Sequence, residues 1–563
     1  MSQLFFKTKE VAYTLTQSVN LLLYSQLFSN AAWSATSATL TSGQIDPTGG
    51  TTAFTMTATG ANATVLQALT GLTSANRVFS IYVKRKTGTG AVSITTDGTN
   101  YATITTTGTW TRFEATRATS GSVNVGIKLA TSGDEVYIAW AQYELGSTAS
   151  TYTQTTSSPY TITQVTDPDY PANTCRGAAY LDGTFYVLSP DGTINGSNIE
   201  DSQSWNALNF IQAIIKPGAG VFITNYQSYV MVLKEWSTEF FYDAGNPAPG
   251  SPLGPVPSMA FSIGCASEDS VQTPVGTVVW MSQTEDGKGR GIYRLNGTAP
   301  EKISTPSVEK ILDADDLANV KSWNAKVGSR ILYGISLGTV AKTLVYDFST
   351  SLWTFWTYLE TSGAAKTVTA VSSTGVVTST AHGYSDGDIV NISGTTTFDG
   401  FAVVTNVTAN TFTIQTTGTA FSGSGSVQKY IEGVFPIIAS TSSGGVQYMQ
   451  ADTSGALYTL DQNSYKDPIG AIAARIRTSK WDGGTANWKR ISSTEFIGDK
   501  IDSYCLIRKT DDDYQTYSGF RPINMNATRS WIKGCGRTSR RAWEVLHVED
   551  SLFRGESLEI EME

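Results

Sequence analysis

The stretch from Cys175 to Phe210, CRGAAYLDGTFYVLSPDGTINGSNIEDSQSWNALNF, decides the fold class. It holds two short runs rich in aromatic and β-branched residues, FYVL from Phe185 and the segment beginning at Ile194, which are separated by the polar turn SPDG. Runs of this composition bounded by Gly, Asp and Asn indicate antiparallel strands with short turns. The stretch therefore predicts a β-hairpin.

The same unit recurs along the chain. The further copies are VMVLKEW with EFFYDAG from Val230, VVWMSQ with GIYRLNG from Val278, ILYGIS with LVYDFST from Ile331, and VQYMQADTSG with LYTLDQN from Val446. The first four onsets lie 45, 48 and 53 residues apart, and the last fits a similar step once an insertion from Lys366 to Lys429 is set aside. Such spacing with aromatic periodicity is typical of propeller blades. We predict an all-β chain with a β-propeller of about 5–7 blades.

The first 152 residues differ in character from the repeat. Residues 1–19 form a lead in which FFKTKEV predicts one strand. Residues 20–152 are a segment of small polar alternation that resembles a jelly-roll sandwich domain. Its tryptophans Trp33, Trp110 and Trp140 are expected either to fill the sandwich core or, for one of them, to stack on the face of a bound sugar.

The remaining boundaries follow from composition. Residues 153–365 are assigned to the first part of the propeller, 366–429 to the insertion, and 430–563 to the completion of the propeller and a C-terminal β segment. The proline-rich run Asn246–Ser258 excludes a central strand and predicts either an exposed loop that contacts a neighbouring subunit or a rigid blade connector.

One helix is predicted, over Ser307–Trp323, where apolar residues recur at helical spacing. Its Asp313, Asp315 and Asp316 are expected to be a solvated helix end, because no glycine-centred calcium loop surrounds them. The sequence therefore predicts no metal site here.

The residues that carry common hydrolytic chemistry are scarce. His382 and His547 are the only histidines, no GxSxG occurs, and DGKGRG from Asp286 joins two strands rather than a strand to a helix, so it does not predict a phosphate loop. Cys175, Cys265, Cys505 and Cys535 are scattered, which predicts buried thiols. We expect no enzyme activity, no catalytic residues, no cofactor and no metal.

Several sequence segments resemble those of one protein family. The Cys175–Phe210 stretch, IGCASEDSVQTPVGTVVWMSQ, GRGIYRLNGTAPEKISTPSVEKIL, DDDYQTYSGFRPI and RTSRRAWEVLH resemble the packaged-DNA stabilisation proteins of short-tailed bacteriophages, also called tail hub or nozzle proteins. The resemblance covers residues 165–365 and 430–563. It implies a structural virion protein that forms a ring, usually a hexamer, below the portal and adaptor proteins, retains packaged DNA and forms part of the ejection channel. Tail fibre, tailspike or needle proteins would lie beside or below it.

Two other segments resemble separate modules. Residues 20–152 are similar to the carbohydrate-binding-like jelly rolls of phage tail proteins, and Thr367–Gly418 resembles the small β-barrel related to the FCCH domain of ubiquitin-activating enzymes. TDDDYQTY from Thr510 resembles a degenerate Asp box of sialidase propellers, with Tyr514 in the usual place of glycine. These likenesses keep two alternatives open: a receptor-binding or glycan-recognising tail protein and a glycan hydrolase.

Charge is unevenly distributed. The net charge is -9, and residues 473–541 hold 14 basic and 7 acidic residues, or +7, so the remainder carries -9 minus 7, or -16. We expect acidic blade loops to line the channel, so that double-stranded DNA passes without tight binding, and the basic segment to face protein neighbours. No apolar stretch predicts a membrane span or a signal peptide, and we expect a virion tail protein made in the bacterial host cytoplasm.

Overall fold

The computed structural model describes residues 3–17, 19–157, 160–247, 249–274, 276–284, 289–452, 454–468 and 470–562. Part of DGKGRG, residues 286–288, and Ala248 of the proline-rich run lie outside the described residues, as do parts of the lead. The chain divides into two compact units, one of residues Met1–Ala213, Ile223–Val230 and Phe241–Pro255, and one of residues Ile214–Phe222, Met231–Phe240 and Val256–Glu563. The described part is almost entirely β-structure, as predicted, and it contains a single α-helix.

The lead differs from the predicted single strand. It forms an antiparallel hairpin of β1 (Gln3–Lys7) and β2 (Ala12–Gln17). The turn closes because the Thr8 N–H donates to the Val11 carbonyl at 2.8 Å and the Thr8 hydroxyl accepts the Val11 N–H at 3.1 Å. A Ser/Thr turn of this kind reverses the chain without glycine.

The next eight strands form the sandwich. They are β3 (Trp33–Thr36), β4 (Ala38–Gln44), β5 (Ala53–Ala58), β6 (Ala63–Thr87), β7 (Val92–Thr95), β8 (Tyr101–Ile104), β9 (Thr111–Leu129) and β10 (Glu135–Leu145). The order is β4-β5-β10-β6-β9-β7-β8, with β3 also paired to β6.

Two long strands turn this single hydrogen-bonded sheet into two layers. β6 and β9 pair along almost their whole length, but their register shifts around Leu72↔Gly121, where Gly71 and Gly121 have φ of 72° and 69°. One half of the pair lies beside β3 and β7, and the other beside β10. Side chains from both halves, including Val65, Phe79 and Ile127, share one buried core, which is the predicted sandwich.

β11 (Tyr160–Gln164) returns to pair with β2 and gives the three-stranded sheet β1-β2-β11. Phe5 of this sheet lies with its ring centroid 5.3 Å from that of Phe185 in the first predicted hairpin, and Ala12 and Val165 join the same buried cluster. The lead therefore supplies a further sheet that packs on the sheet of the first predicted hairpin.

The repeats form meander sheets in chain order. Their strands are β12 (Ala179–Leu181), β13 (Thr184–Leu188), β14 (Thr193–Asn198), β15 (Asp201–Gln212); β16 (Gly220–Tyr226), β17 (Tyr229–Lys234), β18 (Thr238–Asp243), β19 (Leu253–Pro255); β20 (Val279–Ser282), β21 (Gly291–Asn296), β22 (Ala299–Lys302); and β23 (Lys321–Val327), β24 (Arg330–Leu337), β25 (Lys342–Asp347), β26 (Leu352–Val371).

Inner blade strands are buried at successive positions, and therefore on both faces, rather than at every second position. All five residues of β13 and all four of β20 are buried, and β17 and β25 each have one residue that is not. The reason is that a blade is covered by a neighbour on each side, so that both faces of its inner strands need apolar residues. In the proline-rich run, Leu253–Pro255 forms the edge strand β19 paired to β18, which is a position that tolerates proline.

The helix α1 spans Pro306–Asp313 and is shorter than predicted. Proline at its first position suits a helix start. Trp323, expected at the helix end, instead lies fully buried in β23. Asp315 is also buried rather than solvated, because its Oδ1 accepts the backbone N–H groups of Thr339 and Val340 at 2.8 and 3.1 Å. Hydrogen bonds to residues far along the chain therefore take the place of the helical turns that were predicted after Asp313.

The insertion begins within β26, which is also a blade strand, rather than after the blade strands have ended. It contains β27 (Val376–Thr378), β28 (Ile389–Ser393), β29 (Gly400–Val403), β30 (Thr411–Thr413) and β31 (Phe421–Val434). β26 pairs with β31 from Thr357↔Val434 to Val371↔Phe421, so a two-stranded ribbon enters the module. The module has its own apolar core, which includes Val390, Phe412 and Val427.

The C-terminal part follows the last predicted hairpin. The strands are β32 (Ile437–Ser443), β33 (Val446–Ala451), β34 (Leu457–Leu460), β35 (Lys466–Asp467), β36 (Gly470–Ala471), β37 (Ala474–Arg477), β38 (Lys489–Gly498), β39 (Tyr504–Thr510), β40 (Arg521–Asn524), β41 (Trp531–Thr538), β42 (Ala542–His547) and β43 (Gly555–Met562). Sheets β37-β42-β39-β40 and β41-β38-β43 enclose a core that includes Phe496, Ile507 and Trp543.

All five predicted hairpins are present, as β13–β14, β17–β18, β20–β21, β24–β25 and β33–β34. The four cysteines are free and buried, as predicted. None of the helices in the described part of the chain has the length and apolar character that crossing a membrane requires.

Candidate functional site

The three tryptophans singled out by the sequence occupy different surroundings. Trp33 is buried in the sandwich core, 4.8 Å from Phe28 between ring centroids, as the core interpretation predicts. Trp110 and Trp140 are only half-buried, so this interpretation does not hold for them. Trp140 stacks on Tyr152 with ring centroids 5.5 Å apart, and Trp110 lies 6.4 Å from Tyr137.

Two of these tryptophans hydrogen-bond to residues that line one groove. The groove is a cavity of about 390 Å³ between the loop after Asn20, β4, the start of β5 and the segment 154–156, and its lining includes Tyr24, Thr52 and Gln154. The Trp33 Nε1–H donates to the Tyr24 carbonyl at 3.1 Å, and the Trp140 Nε1–H donates to the Thr52 hydroxyl at 3.0 Å. Trp110 is not part of this groove's lining.

Asp46 fixes the loop that carries Thr52. Its carboxylate accepts the N–H and hydroxyl of Thr48, the N–H of Gly50 and the N–H and hydroxyl of Thr52, at 2.8 to 3.3 Å. Burial opposes the charged form, but these hydrogen bonds outweigh it and lower the pKa of Asp46 to about 2. The Thr52 hydroxyl therefore donates to Asp46 and accepts from Trp140, which leaves it in one orientation.

Several cations of the basic C-terminal segment are paired with acidic groups of the chain itself. Arg541 is fully buried, with its guanidinium 2.7 and 2.9 Å from the two Asp511 oxygens and 2.7 Å from the Cys535 carbonyl. Arg540 and Lys480 both lie 2.8 Å from Asp513. These three cations therefore already have anionic partners within the same segment, although its net charge stays at +7.

A second group of cations surrounds the buried Glu544. Its carboxylate lies 2.7 Å from Arg475, 2.5 Å from Arg477 and 2.7 Å from Arg508. The pairing Arg477↔Glu544 on β37–β42 and Arg508↔Glu544 on β39–β42 places two of these cations opposite the carboxylate. Although burial favours the neutral acid, the arginines outweigh it and lower the pKa of Glu544.

A serine–histidine pair that the sequence did not reveal lies beside this cluster's sheet. The Ser503 Oγ is 2.9 Å from the His547 Nε2, and Ser503 also donates to Glu549. Both Ser503 and His547 are buried, and burial lowers the pKa of His547 to about 4. A substrate cannot reach a pair enclosed in this way, so the arrangement is a buried polar network.

The remaining candidate residues have structural contacts. His382 is buried, and its Nδ1 accepts the Tyr384 N–H at 2.9 Å. In TDDDYQTY, the Asp512 carboxylate accepts the Thr516 N–H at 2.9 Å, and Asp513 and Tyr514 have φ of 62° and 68°. The turn therefore uses the aspartate as an Asp box does and places Tyr514 in the backbone region that favours glycine.

The described residues give no support for thiol chemistry at Cys265 or Cys505, or for a metal site. Burial raises the pKa of Cys265 and Cys505 to about 12, which makes both thiols inert. Within residues 3–562, apart from the gaps given above, no group of three or more His, Cys, Asp and Glu side chains could hold a metal ion.

Comparisons with solved structures give only distant likenesses. A carbohydrate-binding module of Cellvibrio mixtus lichenase 5A with cellotriose is 17% identical and covers 20% of this chain and 91% of its own, at a TM-score of 0.17. An exo-beta-1,3-galactanase of Phanerochaete chrysosporium with galactose is 9% identical and covers 70% and 97%, at 0.22. At these TM-scores neither likeness carries a conclusion. The search of curated proteins gave no match.

A protein-family comparison is decisive. The model described as "Bacteriophage P22 Gp10, beta-propeller" matches residues 49–412. The match begins within the sandwich, includes the resemblance expected over 165–365, and ends within the insertion, so residues 430–563 lie outside it. It covers more than half of the 563 residues. Together with the serial hairpin sheets, this match shows that the chain belongs to the bacteriophage P22 Gp10 β-propeller family, a family of phage structural proteins.

Proposed function

We propose that this chain is a ring-forming nozzle or hub of a short-tailed phage, which retains packaged DNA and forms part of the ejection channel. The observation that carries the proposal is the family match over residues 49–412, on a chain whose sheets follow one another as blades. The proposed neighbours are the portal and adaptor above and tail fibre, tailspike or needle proteins beside or below. The proposed location is the virion tail, after synthesis in the host cytoplasm.

Internal charge pairing supports the idea that DNA passes without tight binding. Each exposed Lys or Arg on a phosphate adds salt-dependent affinity, which would hold the genome in the channel. Arg541, Arg475 and Arg508 are instead engaged by Asp511 and Glu544. The net charge of -9 per chain becomes -54 for six copies, which disfavours phosphate at a ring axis.

The ring is tested by its mass. Native mass spectrometry of the assembled tail component should give six copies, and electron microscopy of the tail should give a closed cyclic ring in which each subunit uses two different patches. A two-fold dimer or a trimer within the tail would contradict the proposal. A monomer in free solution is compatible with it, because assembly on the adaptor supplies the template.

A second candidate function is glycan recognition by the sandwich. The observation that favours it is the groove whose lining residues Tyr24 and Thr52 accept hydrogen bonds from Trp33 and Trp140. Glycan hydrolysis receives no comparable support. The three arginines that lie together in the C-terminal part are engaged by the buried Glu544, and the Ser503–His547 pair is enclosed.

A further inference from the structure

We infer that the groove of the sandwich binds one ring of a neutral saccharide. The cavity has a volume of about 390 Å³, which lies within the range of small-ligand sites, roughly 300 to 1,000 Å³. Its apolar surface comes from Tyr24, Leu27 and Phe54, and amide groups come from Gln26 and Gln154. The remaining lining residues are serine, threonine and glycine.

This composition matches the chemistry of a sugar. A pyranose ring has apolar C–H faces, which pack on aromatic and aliphatic side chains, and a rim of hydroxyls, which exchange hydrogen bonds with amides and hydroxyls. None of the eleven lining residues carries a charge. An anionic sugar would lack the arginine or lysine that such groups use, so the favoured ligand is uncharged.

The backbone around the groove is held in a rare conformation. Tyr24 and Trp140 have φ of 49° and 52°, in the left-handed region that bulky residues seldom adopt. The surrounding structure enforces the Tyr24 conformation, because its N–H donates to the Thr156 carbonyl at 2.9 Å and its own carbonyl accepts from Trp33. Because Tyr24 lines the cavity, a bulky residue held in this strained region marks the groove as a candidate ligand site.

The predicted stacking tryptophans therefore act as positioning residues. Trp33 holds the backbone of Tyr24, and Trp140 holds the hydroxyl of Thr52. Trp140 also stacks on Tyr152, whose hydroxyl lies 2.7 Å from the Ser25 hydroxyl next to Gln26. Tyr24 and Gln154 are the side chains placed to contact the sugar directly.

The inference deepens the second candidate function and is independent of ring formation. Saturation-transfer difference NMR on the full chain, with cellotriose, maltotriose and mannotriose as separate probes, should show transfer to at least one of them. Trigalacturonic acid, as the charged counterpart, should receive none. Because the mass of the assembled tail tests the ring, an absence of transfer would leave that proposal standing.

Variants distinguish a site from a structural cavity. Tyr24→Gly removes the ring while glycine tolerates φ of 49°, so relief of backbone strain offsets the lost packing and the greater freedom of the unfolded chain. The melting temperature should therefore change little, while affinity for the bound trisaccharide falls about tenfold or more. Gln154→Ala, at an exposed position, should weaken binding with no change in melting temperature. Trp110→Phe, outside the lining, should bind as wild type does.

Three results would overturn the inference. One is that no neutral trisaccharide receives saturation transfer from the wild-type chain. Another is that transfer persists undiminished in both Tyr24→Gly and Gln154→Ala. The third is that trigalacturonic acid receives as much transfer as the neutral probes, since this would contradict an uncharged ligand.

Discussion

At the scale of single residues, the buried Glu544 carries the most concentrated interaction in the chain. Three guanidinium groups contact it, and Arg475 and Arg508 are themselves mostly buried. A buried ion cluster contributes little net stability as a whole, but removing its central anion leaves the cations facing one another without compensation. Loss of the Glu544 carboxylate should therefore affect both C-terminal sheets, β37-β42-β39-β40 and β41-β38-β43.

We predict that Glu544→Gln lowers the free energy of unfolding by about 3–5 kcal/mol. Urea unfolding followed by fluorescence would measure it. Glu432→Gln is the matched control, because Glu432 is half-exposed and contacts only Arg475 in this cluster, so its loss should cost about 0–1 kcal/mol. Equal effects of the two variants would show that burial at Glu544 is not decisive.

His547 makes stability depend on pH. Burial holds its folded pKa near 4, against 6.5 in the unfolded chain, so the unfolded state binds the proton first as pH falls. Stability should be unaffected above about pH 6.5 and should decrease between about pH 6.5 and 4, by about 2 kcal/mol at pH 5. Urea unfolding of wild type and His547→Gln at about pH 7.5 and 5 should show a smaller decrease in the variant. Parallel decreases would assign the effect to other groups.

At the scale of elements, the insertion both continues blade strands and covers an apolar surface. Its Ile389 and Val403 belong to the same buried cluster as Leu506, Phe520 and Leu546 of the C-terminal part. The Phe520 N–H donates to Asp386 of the module at 3.1 Å. Because the module has its own apolar core, we expect that it can be removed without unfolding the blades, but its deletion should uncover these apolar side chains.

We predict that replacing residues 366–429 by a short Gly-Ser linker leaves a folded but self-associating chain. The reason is the exposure of Leu506, Phe520 and Leu546, which the module covers. Size-exclusion chromatography should show association, and adding Phe520→Ser to the shortened chain should reduce it. Loss of cooperative unfolding, rather than association, would mean that the module is part of the blade core.

At the scale of the whole molecule, the distribution of charge bears on DNA. The purified chain should show no appreciable binding to duplex DNA at physiological salt, because many of the cations of residues 473–541 are engaged by the chain's own acidic or carbonyl groups. Electrophoretic mobility shift over a range of salt concentrations would measure this. Tight binding that weakens steeply with salt would contradict it.

The alternative that the C-terminal segment binds DNA is tested separately with Arg537→Gln and Arg540→Gln, since both residues are exposed. Arg541 is unsuitable for this test, because it is fully buried against Asp511 and its loss would disturb the fold. Arg330→Gln, at the exposed first residue of β24, is the control. DNA binding lost only in the Arg537 and Arg540 variants would make the C-terminal segment a DNA-binding surface.

Local pattern was sufficient for the hairpins and insufficient for the sites. The runs beginning at Phe185, Val230 and Val278 predicted strands because strand composition and turn residues are local properties. The helix over Ser307–Trp323 was predicted too long because Asp315 and Trp323 bond and pack with distant strands, and tertiary contacts override local propensity.

The sequence alone determined the all-β class, the serial hairpins, the buried cysteines and, through its phrases, a phage structural family. Only the tertiary structure decided that Trp33 and Trp140 hydrogen-bond to residues that line a groove, and that the module covers Phe520. It also decided that six of the 14 basic residues of 473–541 are paired with Asp511, Asp513 or Glu544. These contacts join residues far apart in the chain. Spacing and composition report which side chains a strand carries, whereas strand pairing and packing determine which of them meet.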